Sequence, residues 1–282
     1  MAKNSYQRAK IPVSVILARA TARTLGGLAV LLPLCLLVGG LGHVAMYYAG
    51  LLVQPFGGTN PQTRFLYSEL MKLVVGMGWG VLAFPLLDAA TIYVWRQGER
   101  GEPVSPYKAF NWALSRYGRM FGPHAAAYIT ISLGMVIIIP GILFGLQYAF
   151  VDAITATDDQ SKRPLARSQK LTAGRRGKIF RAWVPYAIWY VPAYLWLVYE
   201  AEGMGALAVL GFGTLDVLLL AVMEMAMFAL YQERIDDARR AQQARAELEA
   251  AEGEDDPDAE AELAERAARE TVPASSEDSD SA

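Results

Sequence analysis

The chain has 282 residues, of which 54% are hydrophobic and only 19% are charged, with a formal net charge of −2. Soluble domains are usually about 45–50% apolar and about 25% charged, so this composition argues against an ordinary soluble domain and favours a membrane protein. The small net charge is the sum of two parts with opposite charge. Residues 232–282 contain 17 acidic and six basic residues, a net charge of −11, and the preceding part of the chain has a net charge of +9.

The N-terminal segment, residues 1–24, is predicted to form a cytoplasmic amphipathic helix that begins after Pro12. Its apolar residues recur at helical spacing, and its arginines lie outside that face. The apolar run that follows, Leu25–Val53, is roughly twice as long as the apolar region of a secretory signal, so we interpret it as a retained membrane anchor. It contains the single cysteine, Cys35, which excludes an intramolecular disulfide.

Six apolar segments are predicted to cross a hydrocarbon core about 30 Å thick. They are Leu25–Val53, Phe65–Trp95, Phe121–Ile139, Ile142–Thr157, Ile179–Tyr199 and Met204–Tyr231. The fourth is short, with about 24 Å of helical rise, and the sequence leaves open whether it crosses completely. Together the segments define a transmembrane domain, residues 25–231. The acidic tail, residues 232–282, is predicted to be cytoplasmic, helical at first and then disordered.

Pro140 and Gly141 separate the third and fourth segments and allow two interpretations. They form either a kink in one long span, which gives five crossings, or the tip of a hairpin, which gives six. The segment 158–181 carries eight basic residues, and five crossings would place it outside the cell, against the positive-inside rule. The sequence therefore predicts an all-α polytopic bundle of six transmembrane helices, with both termini in the cytoplasm.

Two further cytoplasmic segments, which begin at Pro106 and Pro164, also place apolar residues along one helical face. An amphipathic helix is therefore predicted before each of three hairpins. The pattern is explained either by a threefold repeat or by the ordinary tendency of loops beside a membrane to become amphipathic.

Four acidic residues lie within the predicted spans, where carboxylates are costly and often functional. They are Asp88, Asp152, Asp216 and Glu224. One interpretation is a path for protons or cations. The other is structural: the acids pair with arginines at the cytoplasmic edge, such as Arg167 or Arg181, or bond to neighbouring helices. The sequence favours structural pairing for Asp88 and Asp152 and does not decide for Asp216.

Five basic residues near the predicted membrane surface are candidates for binding anionic lipid headgroups, each contributing about 1 kcal/mol. They are Arg167, Lys170, Arg175, Arg176 and Lys178. The alternative is that they only set the topology. The two histidines, His43 and His124, lie on different spans, so no metal site is predicted, and neither a catalytic arrangement nor a cofactor is indicated. Nucleic-acid binding is disfavoured because the basic residues are spread along the membrane edge.

The sequence between Pro140 and Arg181 combines a Pro-Gly break, a helix and a cytoplasmic Arg-Ser-x-x-Leu-Thr-x-Gly element. The residues of this element are Arg167, Ser168, Leu171, Thr172 and Gly174. The pattern resembles bacterial six-helix membrane proteins related to the membrane domain of glycerophosphodiester phosphodiesterases, over about residues 10–231. The resemblance implies the membrane fold and says little about activity, because the catalytic phosphodiesterase domain has no counterpart in the sequence.

We therefore predict a non-enzymatic membrane protein that organises the membrane. It would bind lipid headgroups, or a protein partner through its acidic tail. The alternative is a small-solute or proton-coupled transporter that uses the intramembrane carboxylates. The sequence does not indicate an oligomeric state.

Overall fold

The computed structural model describes residues 11–159, 161–200 and 205–254, and every regular element in these ranges is helical. The elements are α1 (Val13–Gly26), α2 (Leu28–Cys35), a π-helical turn (Leu36–Gly40), α3 (Leu41–Val53), a 3-10 turn (Gln54–Gly57), α4 (Pro61–Arg100), α5 (Pro106–Met135), α6 (Ile139–Tyr148), α7 (Val151–Thr157), α8 (Pro164–Thr172), α9 (Arg176–Glu200) and α10 (Ala206–Glu254). The predicted all-α class is confirmed.

The chain divides into two compact units, Met1–Gln232 and Glu233–Ala282. The first unit contains all the polar clusters described below. In the second unit, the described residues are helical, as the end of α10. The tail is predicted to be disordered beyond Glu252. Helix α10 extends two residues further, to Glu254, and the rest of the tail lies outside the described residues.

Four helical stretches are long and apolar enough to cross a membrane. They are Leu28–Gly57, Pro61–Arg100, Ile139–Thr157 and Ala206–Glu247. These correspond to the first, second, fourth and sixth predicted spans. The third and fifth predicted spans lie on α5 and α9, which are helices of 30 and 25 residues. Both are long enough to cross a membrane, but neither is among the four stretches that also have the apolar composition.

The apolar stripe predicted for the start of α5 faces away from the bundle. Tyr107, Phe110 and Leu114 are 75%, 43% and 47% exposed, whereas the small residues Ala109 and Ala113 are buried. Small residues at helix contacts and large apolar residues outside are typical of helices packed in lipid. The segment is also not a separate surface helix, because α5 is continuous to Met135.

The chain reverses direction between α5 and α6. Ile138 is the centre of a tight three-residue turn, with φ 56° and ψ −65°, in which the Ile139 N–H donates to the carbonyl two residues earlier at 2.6 Å. Beyond the turn the two helices meet closely, since a Cβ on Gly134 would lie 2.9 Å from the Cα of Gly141. Pro140 lies in the first turn of α6, where its missing N–H costs no hydrogen bond. This geometry is a hairpin between two helices, not a kink within one.

The fourth apolar segment is interrupted between α6 and α7. Side chains of α8 form hydrogen bonds with the backbone groups at this interruption. The hydroxyl of Ser168 donates to the carbonyl of Gln147 at 2.8 Å and accepts from the N–H of Phe150 at 3.2 Å. Thr172 also donates to the Gln147 carbonyl, at 3.4 Å. Both hydroxyl residues are fully buried. The Ser and Thr of the Arg-Ser-x-x-Leu-Thr-x-Gly element therefore act as caps for a broken helix.

Replacing Ser168 with Ala is expected to lower the melting temperature of the protein in detergent. The substitution leaves the buried N–H of Phe150 without an acceptor, a loss of about 1–3 kcal/mol. Ser115→Ala is the control, because Ser115 is exposed and its hydroxyl makes local contacts within α5. Equal melting temperatures for the two variants would show that Ser168 is not a structural cap.

Candidate functional site

The first group of buried polar residues is centred on His124 of α5. Its Nδ1 atom lies 3.0 Å from Oδ1 of Asp152 on α7 and 3.5 Å from Oδ2 of Asp88 on α4. Asp88 and His124 are only 4% and 5% exposed. Glu224 of α10 is within electrostatic range of the other three. We call these four residues the His124 cluster, to which four helices contribute.

The antiparallel pairing of α5 with α7 positions this cluster. At the next turn of α7, the carbonyl of Ala156 accepts hydrogen bonds from Nη2 of Arg119 at 2.6 Å and Nε of Arg116 at 3.3 Å. These contacts hold the end of α7 against α5 and fix the register of the two helices. In that register, His124 and Asp152 face each other.

The His124 ring also packs against an aromatic ring. Tyr128 stacks on it, with ring centroids 5.7 Å apart and an interplanar angle of 17°. Gly80 makes room for this tyrosine, since a Cβ there would lie 2.5 Å from the Tyr128 hydroxyl oxygen. The buried Nε2 forms no hydrogen bond with a described residue. The nitrogen that makes close polar contacts is therefore Nδ1, and it faces two carboxylates.

A second group of polar residues surrounds Asp216 of α10, which is 4% exposed. Tyr186 of α9 donates its hydroxyl to Oδ1 at 3.4 Å, and Nε2 of His43 on α3 lies 3.9 Å from Oδ2. The indole N–H of Trp189 is close to the same carboxylate, without hydrogen-bond geometry. We call these four residues the Asp216 cluster. In contrast to the His124 cluster, it contains a single acid.

The π-helical turn between α2 and α3 orients His43. The carbonyl of Gly39 in this turn lies 2.9 Å from Nδ1 of His43. A carbonyl can only accept, so Nδ1 carries a proton and Nε2 is directed to Asp216. Gly213 of α10 packs here without a side chain, because a Cβ on it would lie 2.5 Å from the Gly39 carbonyl oxygen and 2.6 Å from Nδ1 of His43.

The five basic residues predicted to bind lipid headgroups do not form one free patch. Arg167 pairs with an aspartate in the loop between α7 and α8. Arg175 and Lys178 also engage other residues. Lys170 and Arg176 are exposed. Three of the five residues are therefore engaged in contacts within the protein.

Of the two kinds of structural partner considered for the intramembrane acids, Asp88 and Asp152 have the second, a residue of a neighbouring helix. They face His124 of α5 rather than Arg167 or Arg181, and Arg167 pairs locally with an aspartate nine residues before it. The sequence predicts no metal site because the two histidines lie on different spans. The structure nevertheless brings His124 to two carboxylates, with the three ligand atoms within 4.8 Å of one another.

The pairing of His124 with Asp152 could have been predicted from the sequence, given the hairpin at Pro140 and Gly141. His124 and Asp152 are each 14 residues from Ile138 at the tip, so two antiparallel helices bring them to the same level.

No protein family, curated protein or solved structure matches this chain. The resemblance to membrane domains of glycerophosphodiester phosphodiesterases therefore stays a prediction, and function has to be argued from the two clusters.

The close contact of Gly213 with His43 predicts a position-specific effect of added side chains on α10. Gly213→Ala should destabilise the protein by about 1–3 kcal/mol, because the methyl group overpacks the contact with the π-helical turn. Gly211→Ala, on the same helix, should be tolerated, since a Cβ there meets no atom within 4 Å. Thermal unfolding in detergent measures both. Equal stability of the two variants would contradict the close helix contact.

Proposed function

We propose that the chain is a bacterial cytoplasmic-membrane protein with six transmembrane helices and cytoplasmic termini, whose bundle binds and passes protons or other small cations. The observation that carries the proposal is the burial of two histidine–carboxylate clusters between helices long and apolar enough to span a membrane. This favours the transporter alternative over a purely organising role.

Six crossings are supported by helix length and by charge. α5 and α9, the two helices outside the four apolar stretches, are about 45 and 38 Å long at 1.5 Å per residue, which exceeds a core of about 30 Å. The hairpin at Ile138 reverses the chain between α5 and α6. With six crossings, the basic segment 158–181 lies in the cytoplasm, in agreement with the positive-inside rule.

A cation is needed because the His124 cluster has more acids than bases. Its one imidazole faces two carboxylates, and a third, Glu224, is within electrostatic range. Ionised carboxylates inside a bilayer are costly unless a positive charge neutralises them. No lysine or arginine among the described residues forms an ion pair with these three acids. Protons or bound cations are then the available source of positive charge.

The two clusters share a helix. Asp216 and Glu224 are eight residues apart on α10, about 12 Å along the helix. Tyr128 stacks on His124 in one cluster, and Tyr186 donates its hydroxyl to Asp216 in the other. Each cluster therefore has a tyrosine beside its charged groups, and α10 sets the spacing of their acids along the bundle.

Binding of anionic lipid headgroups is the second candidate and has less support. It is favoured by the exposure of Lys170 and Arg176. It is weakened by the ion pair of Arg167 and the contacts of Arg175 and Lys178, which engage three of the five predicted residues.

The six-crossing topology predicts the labelling of single cysteines. In a Cys35→Ser background, Arg176→Cys should react with a membrane-impermeant maleimide only in inverted vesicles, because position 176 is cytoplasmic. Thr59→Cys, in the exposed loop between α3 and α4, should react in intact spheroplasts. Labelling of Arg176→Cys from outside would contradict the topology.

Cation passage predicts that neutralising Asp216 reduces flux. Proteoliposomes that contain a pH-sensitive dye, driven by a potassium diffusion potential, should show proton flux with the native protein and near-background flux with Asp216→Asn. The amide keeps the shape of the side chain and removes its charge. Glu69→Gln is the control, since Glu69 pairs with Lys72 outside both clusters. Equal flux of native protein and Asp216→Asn, for protons and for a panel of other cations, would refute the proposal.

A further inference from the structure

We infer that the His124 cluster binds a divalent first-row transition-metal ion, such as Zn²⁺ or Mn²⁺, between Asp88, His124 and Asp152. The inference rests on the proposed cation-handling function and deepens it by naming the class of cation. It concerns equilibrium binding at one cluster, so it can be tested separately from flux through the bundle.

The spacing of the ligand atoms fits an ion. Nδ1 of His124 and one carboxylate oxygen from each of Asp88 and Asp152 all lie within 4.8 Å of one another, and the two distances from Nδ1 are 3.5 and 3.0 Å. Around an ion about 2.1 Å from each ligand, atoms at tetrahedral positions are about 3.4 Å apart. The three side chains, which come from three different helices, therefore need only small movements to coordinate an ion.

The chemistry of the ligands selects the kind of ion. One imidazole nitrogen and two carboxylate oxygens suit ions that accept mixed nitrogen and oxygen ligands, such as Zn²⁺, Mn²⁺, Fe²⁺ or Co²⁺. Ca²⁺ and Mg²⁺ prefer ligand sets made only of oxygen. Three protein ligands leave at least one coordination position for water.

Charge balance also favours a divalent ion. Two ionised carboxylates and a neutral imidazole carry a charge of −2, which one divalent cation neutralises. Asp88 is 4% exposed, so without such compensation its ionised form lies in a region where an unpaired charge costs several kcal/mol.

An ion can reach the cluster from its Asp152 side. The Asp152 side chain keeps 21% exposure, whereas those of Asp88 and His124 keep only 6% and 7%. Ala156, one turn further along α7, accepts hydrogen bonds from Arg116 and Arg119. The cluster therefore lies about 6 Å from the charged end of the bundle.

The test is metal titration of the purified full-length protein in detergent, after removal of any affinity tag and of bound metal. Isothermal titration with Zn²⁺ should give one site per chain, with weaker binding of Mn²⁺ and no binding of Ca²⁺ at the same concentration. Substitutions of the ligands should weaken Zn²⁺ binding by about 100-fold or more, since even outer partners contribute roughly 10–100-fold. These substitutions are Asp88→Asn, His124→Gln and Asp152→Asn, and the matched control is Glu69→Gln, because Glu69 pairs with Lys72 outside both clusters.

A gain-of-signal variant keeps the test valid if a ligand substitution prevents folding. His124→Cys places a thiol at the same position, so Co²⁺ bound there should acquire a thiolate-to-cobalt charge-transfer absorption that is missing in the native protein. Native protein should also melt at a higher temperature with Zn²⁺ than without it.

Three results would overturn the inference. The first is that Zn²⁺ does not bind. The second is that His124→Gln binds Zn²⁺ as tightly as the native protein does, which is expected if the ions are held only by the acidic tail. The third is that folded His124→Cys shows no charge-transfer band with Co²⁺. If Zn²⁺ does not bind but Asp216→Asn still abolishes proton flux, only the metal inference fails. If Zn²⁺ binds and Asp216→Asn has native flux, the proposed function fails and metal binding stands.

Discussion

The reversal of the chain at Ile138 is the constraint on which the His124 cluster depends. His124 and Asp152 meet because each is 14 residues from the tip and the two helices rise equally. A slip of one residue on either helix would rotate its side chain by about 100° and remove it from the cluster. The register is held at one end by Gly134 against Gly141 and at the other by arginine contacts to α7.

Both interruptions of helical geometry lie beside a cluster. The π-helical turn frees the Gly39 carbonyl to orient His43, and the break between α6 and α7 comes two residues before Asp152. Irregular backbone is tolerated at membrane depth only where protein groups satisfy it. Ser168 meets that requirement for the second interruption. These two irregular stretches of backbone therefore lie where the polar side chains of the clusters have to be held in place.

The helical class and the apolar helices could be predicted from the sequence, because composition and periodicity are local properties. The hydropathy of α5 and α9 was a weaker signal, since tyrosine and tryptophan are apolar in contact with lipid but count as nearly neutral. The pairing of His124 with Asp88 could not be read from the chain, because it depends on which faces of α4 and α5 meet. Proximity to basic residues along the sequence indicated Arg167 instead, which the structure pairs with Asp158.

The two clusters differ in charge, and their separation allows each to influence the other. The Asp216 cluster has one acid beside a histidine and a tyrosine, which suits a single proton, whereas the His124 cluster has acids in excess. Two unit charges 12 Å apart, at an effective dielectric constant of about 20, interact with about 1.4 kcal/mol, or roughly tenfold in affinity. A divalent ion in one cluster would therefore disfavour a second cation in the other. Competition of this kind between two cation sites is what the exchange of one cation for another across a membrane requires.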